Sequence, residues 1–364
     1  MMKTLSRREA SKKIALGLGA MAGISSLPVL GRPLNEKKLG VALVGLGNYS
    51  NILLGPAFAD TQNCYLAGIV TGTPAKATEW SARYNIPPQN IYNYETFDRI
   101  ADNPDIDIVY IVLPNFLHAE YTIRAAKAGK HVICEKPMAL NVRECEAMIE
   151  ACDKAGKLLS IGYRLHFEPH HKEVMRLGKE KPYGPINLIE SSLGYHLSDP
   201  TLWRLDKKKG GGGAIMDLGV YAIQGARYVV GEEPVSVTAQ GIRRDFTRFR
   251  DIYETIFWQM NFPGGEVANC STSYSSYVDR LYVSCYHGWF GLKPSYGGNG
   301  TEGETSDGPM SFPAINQQAA QMDGFVECIR ENRRSAISGE EGLRDLRVIE
   351  AVLKSADTGK KIRL

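Results

Sequence analysis

Apolar and polar positions change their period about halfway along the chain, and that change divides it. From Leu39 to Ile161 short apolar runs alternate with longer amphipathic stretches. Leu39–Val44, Tyr65–Val70, Ile106–Leu113, His131–Cys134 and Leu158–Ile161 read as buried strands. Helices are expected over 52–58, from the Asn115 region to Gly129, and over 142–155. Strand and helix alternating at this spacing imply a parallel sheet with right-handed crossovers. Beyond Tyr163 the pattern turns to period two, over 186–192, 235–239, 255–262 and 267–274, with turns such as Pro263-Gly264-Gly265. That is the mark of a largely antiparallel sheet. The glycine-rich, polar stretch 297–313 reads as a mobile loop, and helices over 316–332 and 342–358 close the chain. The expected fold class is α/β, with an N-terminal domain over 39–162 and a C-terminal α+β domain over 163–364 built on a large, mostly antiparallel sheet.

The chemistry gathers where the strands of the first half end. Gly45-Leu46-Gly47-Asn48-Tyr49-Ser50 lies between the first strand and its helix. Gly45 permits a tight turn and Gly47 lets backbone approach a pyrophosphate at a helix N-terminus, so this half reads as a Rossmann dinucleotide-binding domain. Ser50 stands where the third glycine of the pattern falls. The second strand ends in Thr71-Gly72-Thr73 with Lys76 beyond, and offers no carboxylate to a ribose 2′-hydroxyl. Hydroxyls and a lysine suit a 2′-phosphate, so NADP is favoured, with NAD as the alternative. Later strand ends supply Leu113-Pro114-Asn115 with His118, then Glu135-Lys136-Pro137, then Gly162-Tyr163-Arg164. Ligands of open parallel sheets sit outside the carboxyl ends of the strands, so these segments converge on one crevice. Pro137 biases Lys136 toward extended backbone and makes their bond a candidate for cis, which aims the ammonium at whatever hydroxyl is bound there.

A second motif lies in the other half. Trp203-Arg204 precedes Gly210-Gly211-Gly212-Gly213, a run that permits close approach to another backbone or a ligand, and then an apolar helix over 214–230. In an α-helix Asp217 and Tyr221 share one face, about 5 to 6 Å apart at Cβ. A carboxylate and a phenol placed together, next to a lysine, make a proton-exchanging group.

Composition narrows the partners. The 364 residues are 43% hydrophobic and 23% charged with net charge +3, an ordinary balance with no basic, aromatic-interleaved stripe, so nucleic acid is not an expected partner. Lys207-Lys208-Lys209 reads as a solvated loop. The seven cysteines form no C-x-x-C pair or Cys/His ligand spacing, so neither a disulfide framework nor a metal site is expected. At the N-terminus Ser6-Arg7-Arg8-Glu9-Ala10-Ser11-Lys12 precedes an apolar run from Ile14 to Ile24, too short for a membrane span. This reads as a twin-arginine export signal over 1–31 followed by a linker over 32–38, and implies a periplasmic or otherwise exported protein. Ala10 replaces the large apolar residue of the usual signal.

The ordered set of Gly45-Leu46-Gly47, Glu135-Lys136-Pro137 and the glycine run into Asp217 resembles the Gfo/Idh/MocA oxidoreductase family. Gly162-Tyr163-Arg164, Trp203-Arg204-Leu205, Met216 to Tyr221, Asn316-Gln317 and Gly339-Glu340-Glu341-Gly342 are similar to its glucose-fructose oxidoreductase branch. The resemblance runs from about Leu39 to the C-terminus. It implies a catalytic group of Lys136, Asp217 and Tyr221, with Tyr221 where many members have histidine, and a sugar contacted by Lys136, Tyr163, Asp217 and Tyr221. It implies nucleotide contacts from Gly45, Leu46, Gly47, Asn48, Tyr49, Thr71, Gly72, Thr73, Lys76, Leu113, Pro114, Asn115, His118, Glu135, Lys136, Arg164, Trp203 and Arg204. The implied reaction moves a hydride between C1 of a pyranose sugar and nicotinamide. The alternatives are a nicotinamide-dependent glycosidase of the same fold and a plain sugar or polyol dehydrogenase. A homodimer or homotetramer formed through the open sheet is also implied. The linker is shorter than the proline-rich arm of the glucose-fructose branch.

Overall fold

The computed structural model describes residues 37–297 and 300–364; the expected export signal and residues 32–36 of the linker lie outside them. Six parallel strands make the first sheet: β1 (Leu39–Val44), β2 (Cys64–Val70), β3 (Ile91–Tyr92), β4 (Ile108–Ile111), β5 (His131–Cys134) and β6 (Leu159–Ile161). Their order is β3-β2-β1-β4-β5-β6, so the direction of winding reverses between β1 and β4. Helices cover both faces, which is why Val41 and Leu43 on one face and Ala42 and Val44 on the other are all fully buried. Register brings the site together. Val44 lies opposite Val70 and Ile111, Ile111 opposite Cys134, and Cys134 opposite Ile161. Gly45, Thr71, Val112, Glu135 and Gly162, each one residue further on, therefore emerge along a single edge.

Nine strands make the second sheet: β7 (Ile186–Gly194), β8 (Ser236–Ile242), β9 (Thr255–Asn261), β10 (Val267–Ser273), β11 (Val278–Cys285), β12 (Gly288–Leu292), β13 (Gly303–Thr305), β14 (Gly308–Met310) and β15 (Ile362–Arg363). The order is β14-β13-β12-β11-β7-β10-β9-β8-β15, and every neighbouring pair is antiparallel except β7 with β10. Residues 297–313, expected as a mobile loop, instead carry the β13–β14 hairpin, which extends the sheet from β12 with Phe290 opposite Thr305. Three-residue strands are too short to show a period. Helix Val220–Val230 packs on β7 and helix Gly339–Thr358 on β8. Helix Gln317–Arg330 crosses to the first sheet, where Ala319, Met322 and Phe325 pack with Val41, Leu43 and Ile69. Asp323 on that helix accepts from the backbone amides of Gln62 and Asn63, both at 2.8 Å, and locks it there.

Two helices are wound irregularly near the site. The helix after the glycine turn begins at Asn48, four residues earlier than expected, and includes a π turn at Ser50–Leu54 in which Gly55 N–H donates to Ser50 five residues back. Pro56 follows with no N–H to give. Helix Val220–Val230 is likewise preceded by a π turn, Ile215–Gly219, in place of the regular α-helix expected over 214–230. Such turns recur at functional sites, because they free a carbonyl or re-aim a side chain.

Candidate active site

At the carboxyl edge of the first sheet lies a cavity of about 920 Å³. One end is the glycine turn. Gly45 has φ +93°, and a Cβ there would lie 2.3 Å from the Val112 carbonyl oxygen, so only glycine fits. A Cβ on Gly47 would meet nothing within 4 Å; the space before it is open to a ligand. The Ser50 hydroxyl donates to the Gly45 carbonyl at 2.6 Å and braces the turn from behind. At the β2 end Lys76 Nζ donates to the Leu46 carbonyl at 2.8 Å, which places the ammonium beside the turn. Thr71, Gly72 and Thr73 line the same wall, and Tyr94 covers Gly72, where a Cβ would come within 3.1 Å of its ring. A narrow cradle of backbone flanked by hydroxyls and one cation fits a phosphorylated dinucleotide. Bound there, such a group supplies a hydride acceptor or donor.

The other end holds the titratable cluster. The Lys136–Pro137 bond is cis. Lys136 Nζ donates to the Asp217 carbonyl oxygen at 2.6 Å, lies 3.4 Å from Asp217 Oδ1, and stands 4.6 Å from the centroid of the Tyr221 ring. Asp217 Oδ2 is 3.2 Å from Arg204 Nε and accepts from the Tyr274 hydroxyl at 3.2 Å and, more weakly, from Tyr195 at 3.5 Å. Burial pushes the Asp217 carboxyl up, but Lys136 and Arg204 outweigh burial and hold it below its ordinary value. Asp217 is thus an ionised hub whose two oxygens are already engaged. The π turn that carries it also presents its carbonyl to Lys136.

Behind Lys136, Glu135 is buried and accepts from the Tyr110 hydroxyl at 2.7 Å, and Gln321 in turn donates to Tyr110 at 2.7 Å. Burial raises the Glu135 pKa in spite of that bond and the nearby Lys136 charge. Glu135 also explains Gly162, where a Cβ would come within 2.6 Å of its carboxylate. Arg164 donates to Gln317 Oε1 and to the Tyr296 carbonyl. Asn115 donates to the Gly210 carbonyl at 2.9 Å and ties the β4 end to the glycine run. Arg204 stacks on Trp203, its Cζ 4.6 Å from the ring centroid.

Most residues singled out in the sequence line this one cavity: Gly45 to Tyr49, Thr71 to Thr73, Lys76, Leu113 to Asn115, Glu135, Lys136, Arg164, Trp203, Arg204, Asp217 and Tyr221. Two do not. His118 is buried beneath the wall, its ring nitrogens 2.8 Å from the Leu113 carbonyl and 2.9 Å from that of Pro137. Tyr163 leaves β6 into the core, with its side chain toward Asp345 and Tyr228. Sequence reasoning passed over Leu53, Tyr94, Val112, Leu202, Ile315, Gln317 and Gln318 on the cavity wall, and Tyr195 and Tyr274 against Asp217. The two tyrosines directly follow β7 and β10, a parallel pair whose common edge a period-two pattern does not reveal. A second cavity, of about 770 Å³, lies by β12–β14 and includes none of the expected site residues. Among the described residues no cluster of His, Cys, Asp and Glu is arranged to hold a metal, and no helix is long and apolar enough to cross a membrane.

Comparison with known proteins agrees with this architecture. Residues 39–163 match the model of an oxidoreductase family with an NAD-binding Rossmann fold, 171–291 the GFO/IDH/MocA C-terminal domain, and 291–364 the C-terminal alpha/beta domain of the oxidoreductase family. The chain is 30% identical over 338 residues to the D-xylose 1-dehydrogenase [NADP(+)] of Haloarcula marismortui, covering 89% of this chain and 92% of that protein. The solved aldose-aldose oxidoreductase of Caulobacter crescentus, a complex with glycerol, is 43% identical, with TM-score 0.88 over 90% of this chain and all of that one. A levoglucosan dehydrogenase in complex with NADH and L-sorbose shares the fold, with TM-score 0.76 at 22% identity over 90% of this chain and 99% of the other. The chain belongs to the Gfo/Idh/MocA family of oxidoreductases and carries that family's NAD(P)-binding Rossmann domain.

Proposed function

We propose that this protein is an exported, NADP-dependent sugar oxidoreductase that moves a hydride between C1 of a pyranose and the nicotinamide ring. The observation that carries this reading is the single cavity with the glycine turn and Lys76 at one end and Lys136, Asp217 and Tyr221 at the other. In the oxidising direction the C1 hydroxyl gives its proton to the Tyr221 oxygen as the hydride leaves C1, and in the reducing direction Tyr221 returns it. Lys136 binds the same sugar oxygen and favours its alkoxide character. Asp217 fixes Lys136 and Arg204, and its Oδ1, held only by Lys136 at 3.4 Å, keeps acceptor capacity for a neighbouring sugar hydroxyl. Trp203 presents an apolar wall to the pyranose. Lys76 beside the turn, with no carboxylate at the β2 end, supports NADP over NAD. The similarity to an NADP-using xylose dehydrogenase supports both the substrate class and the nucleotide.

The test is a panel of aldoses with NADP and NAD, scored at the absorbance of the reduced nucleotide. Turnover of aldoses with NADP supports the reading; activity confined to acyclic polyols, or release of an aglycone with no net change in the nucleotide, replaces it. A second reading, transfer from one sugar to another with the nucleotide retained, is favoured by the 43% identity to an aldose-aldose oxidoreductase. It predicts equal amounts of lactone and alditol from aldoses with no nucleotide added. Export is supported by the paired arginines and by seven free, buried cysteines, which suit a protein that folds before it enters an oxidising compartment. N-terminal sequencing of the mature protein tests it. Self-association through the open face of the second sheet, where Phe257 stays half exposed, follows from the family resemblance and is tested by native mass.

A further inference from the structure

Arg164 is a buried cation whose hydrogen-bond partners are neutral. It follows β6, is 8% exposed, and donates to Gln317 Oε1 and, at 2.7 Å, to the Tyr296 carbonyl. Among the described residues no carboxylate pairs with it. Lys136 and Arg204 share Asp217, and Arg227 holds Glu233, Glu341 and Asp345. A buried guanidinium ordinarily takes a carboxylate, because burial of an unpaired charge is strongly unfavourable. What faces Arg164 is Tyr221: the guanidinium carbon is 5.7 Å from the centroid of that ring. Burial acts to lower the Arg164 pKa, and Tyr221, Tyr49 and Glu135 more than reverse this. Lys136 also stands over the Tyr221 ring, 4.6 Å from its centroid, but its hydrogen bonds are committed to Asp217. The ring of Tyr296, whose carbonyl also holds Arg164, stacks on Tyr221 at 6.2 Å, and the buried Tyr49 phenol is close enough to interact with Tyr221 as well.

We propose that Arg164 is the group that stabilises negative charge on the Tyr221 oxygen when that oxygen has given up its proton, and that Gln317 sets the position of Arg164. The proposal rests on Tyr221 being the proton-exchanging residue. Arg164 keeps its own protons throughout: the proton from the C1 hydroxyl goes to Tyr221, the C1–H bond breaks toward the nicotinamide, and a second hydroxyl or water later takes the proton from Tyr221. Arg164 is therefore a positioning residue acting through Tyr221. Gln317 enters from the helix that packs on the first sheet, so the charge at Tyr221 depends on three separate stretches of chain.

The test compares Arg164→Ala, Arg164→Lys, Gln317→Ala and Tyr221→Phe in the intact protein, with NADPH affinity measured alongside kcat. Arg164→Ala should lose about 100-fold in kcat, more than any accompanying fall in NADPH affinity, and added methylguanidinium should restore at least about tenfold. Arg164→Lys should retain part of the activity. Gln317→Ala, which keeps the cation, should shift the kcat–pH profile. Unchanged kcat in Arg164→Ala overturns the proposal, as does loss of NADPH affinity in parallel with kcat and without rescue. Should Arg164→Ala fail to fold, an unchanged pH profile in Gln317→Ala overturns it alone. Full turnover in Tyr221→Phe would instead overturn the reading of Tyr221 on which the proposal rests.

Discussion

The ammonium of Lys136 stands over the face of the Tyr221 ring, 4.6 Å from its centroid, and spends its shortest hydrogen bond, 2.6 Å, on the Asp217 carbonyl. Removing the Tyr221 hydroxyl therefore leaves this cation–π contact intact. Tyr221→Phe should melt within about 1 kcal/mol of the parent, while turnover falls by at least about 100-fold. Lys136→Met should lose turnover to the same degree and some stability as well, because Asp217 then keeps only Arg204 as a cationic partner. Thermal melts and kcat of the two variants check this; a Tyr221→Phe protein that melts like Lys136→Met contradicts it.

The two glycines of the turn should fail in different ways. A methyl at Gly45 collides with the Val112 carbonyl and meets an unfavourable φ, whereas a methyl at Gly47 meets only open space. Gly45→Ala should destabilise the fold by about 1–3 kcal/mol. Gly47→Ala should leave the melting temperature unchanged and weaken nucleotide binding by about tenfold or more. Calorimetric binding beside thermal melts separates the two, and equal loss of stability in both variants would show that Gly47 serves the fold.

Much of this could be read in the sequence because register does the assembling. Once five apolar runs are recognised as parallel strands, the residue after each must lie along one edge, and Gly45, Thr71, Glu135 and their neighbours do. What escaped were features finer than any period. Tyr163 and Arg164 both follow β6, but past the last sheet hydrogen bond alternation no longer says which side chain turns to the cavity, and it is Arg164. His118 is polar and beside a strand end, yet its ring is taken up by the carbonyls of Leu113 and Pro137. A five-residue π turn at Asp217 cannot be told from α-helix by pattern, and β3, β13 and β14 have only two or three residues each.

Lys76 offers a test of nucleotide choice with an internal control. Its ammonium serves both the Leu46 carbonyl and the wall where a ribose 2′-substituent would lie. Lys76→Ala should weaken NADPH binding by about tenfold, about 1.4 kcal/mol, and leave NADH almost unaffected. Fluorescence titration with each nucleotide reads the difference. Equal weakening of both would mean that Lys76 only braces the turn.

Asp217 links the site to pH through stability. Its carboxyl titrates below the ordinary value in the folded protein, since Lys136, Arg204 and the Tyr274 hydroxyl together outweigh burial. A depressed folded pKa means that the unfolded chain binds the proton more readily. The stabilisation is therefore present above the unfolded value, about 3.9, and is lost as pH falls through the folded one. Asp217→Asn removes it and leaves Lys136 and Arg204 without their shared anion. The variant should lose on the order of 2 kcal/mol at pH 7, less than for a fully enclosed pair because Arg204 keeps 35% of its side chain in water. The gap between parent and variant in urea midpoint should be constant from pH 7 to pH 5 and narrow below about pH 4. A gap that stays constant at acid pH would show that the carboxylate's charge is not what stabilises the cluster.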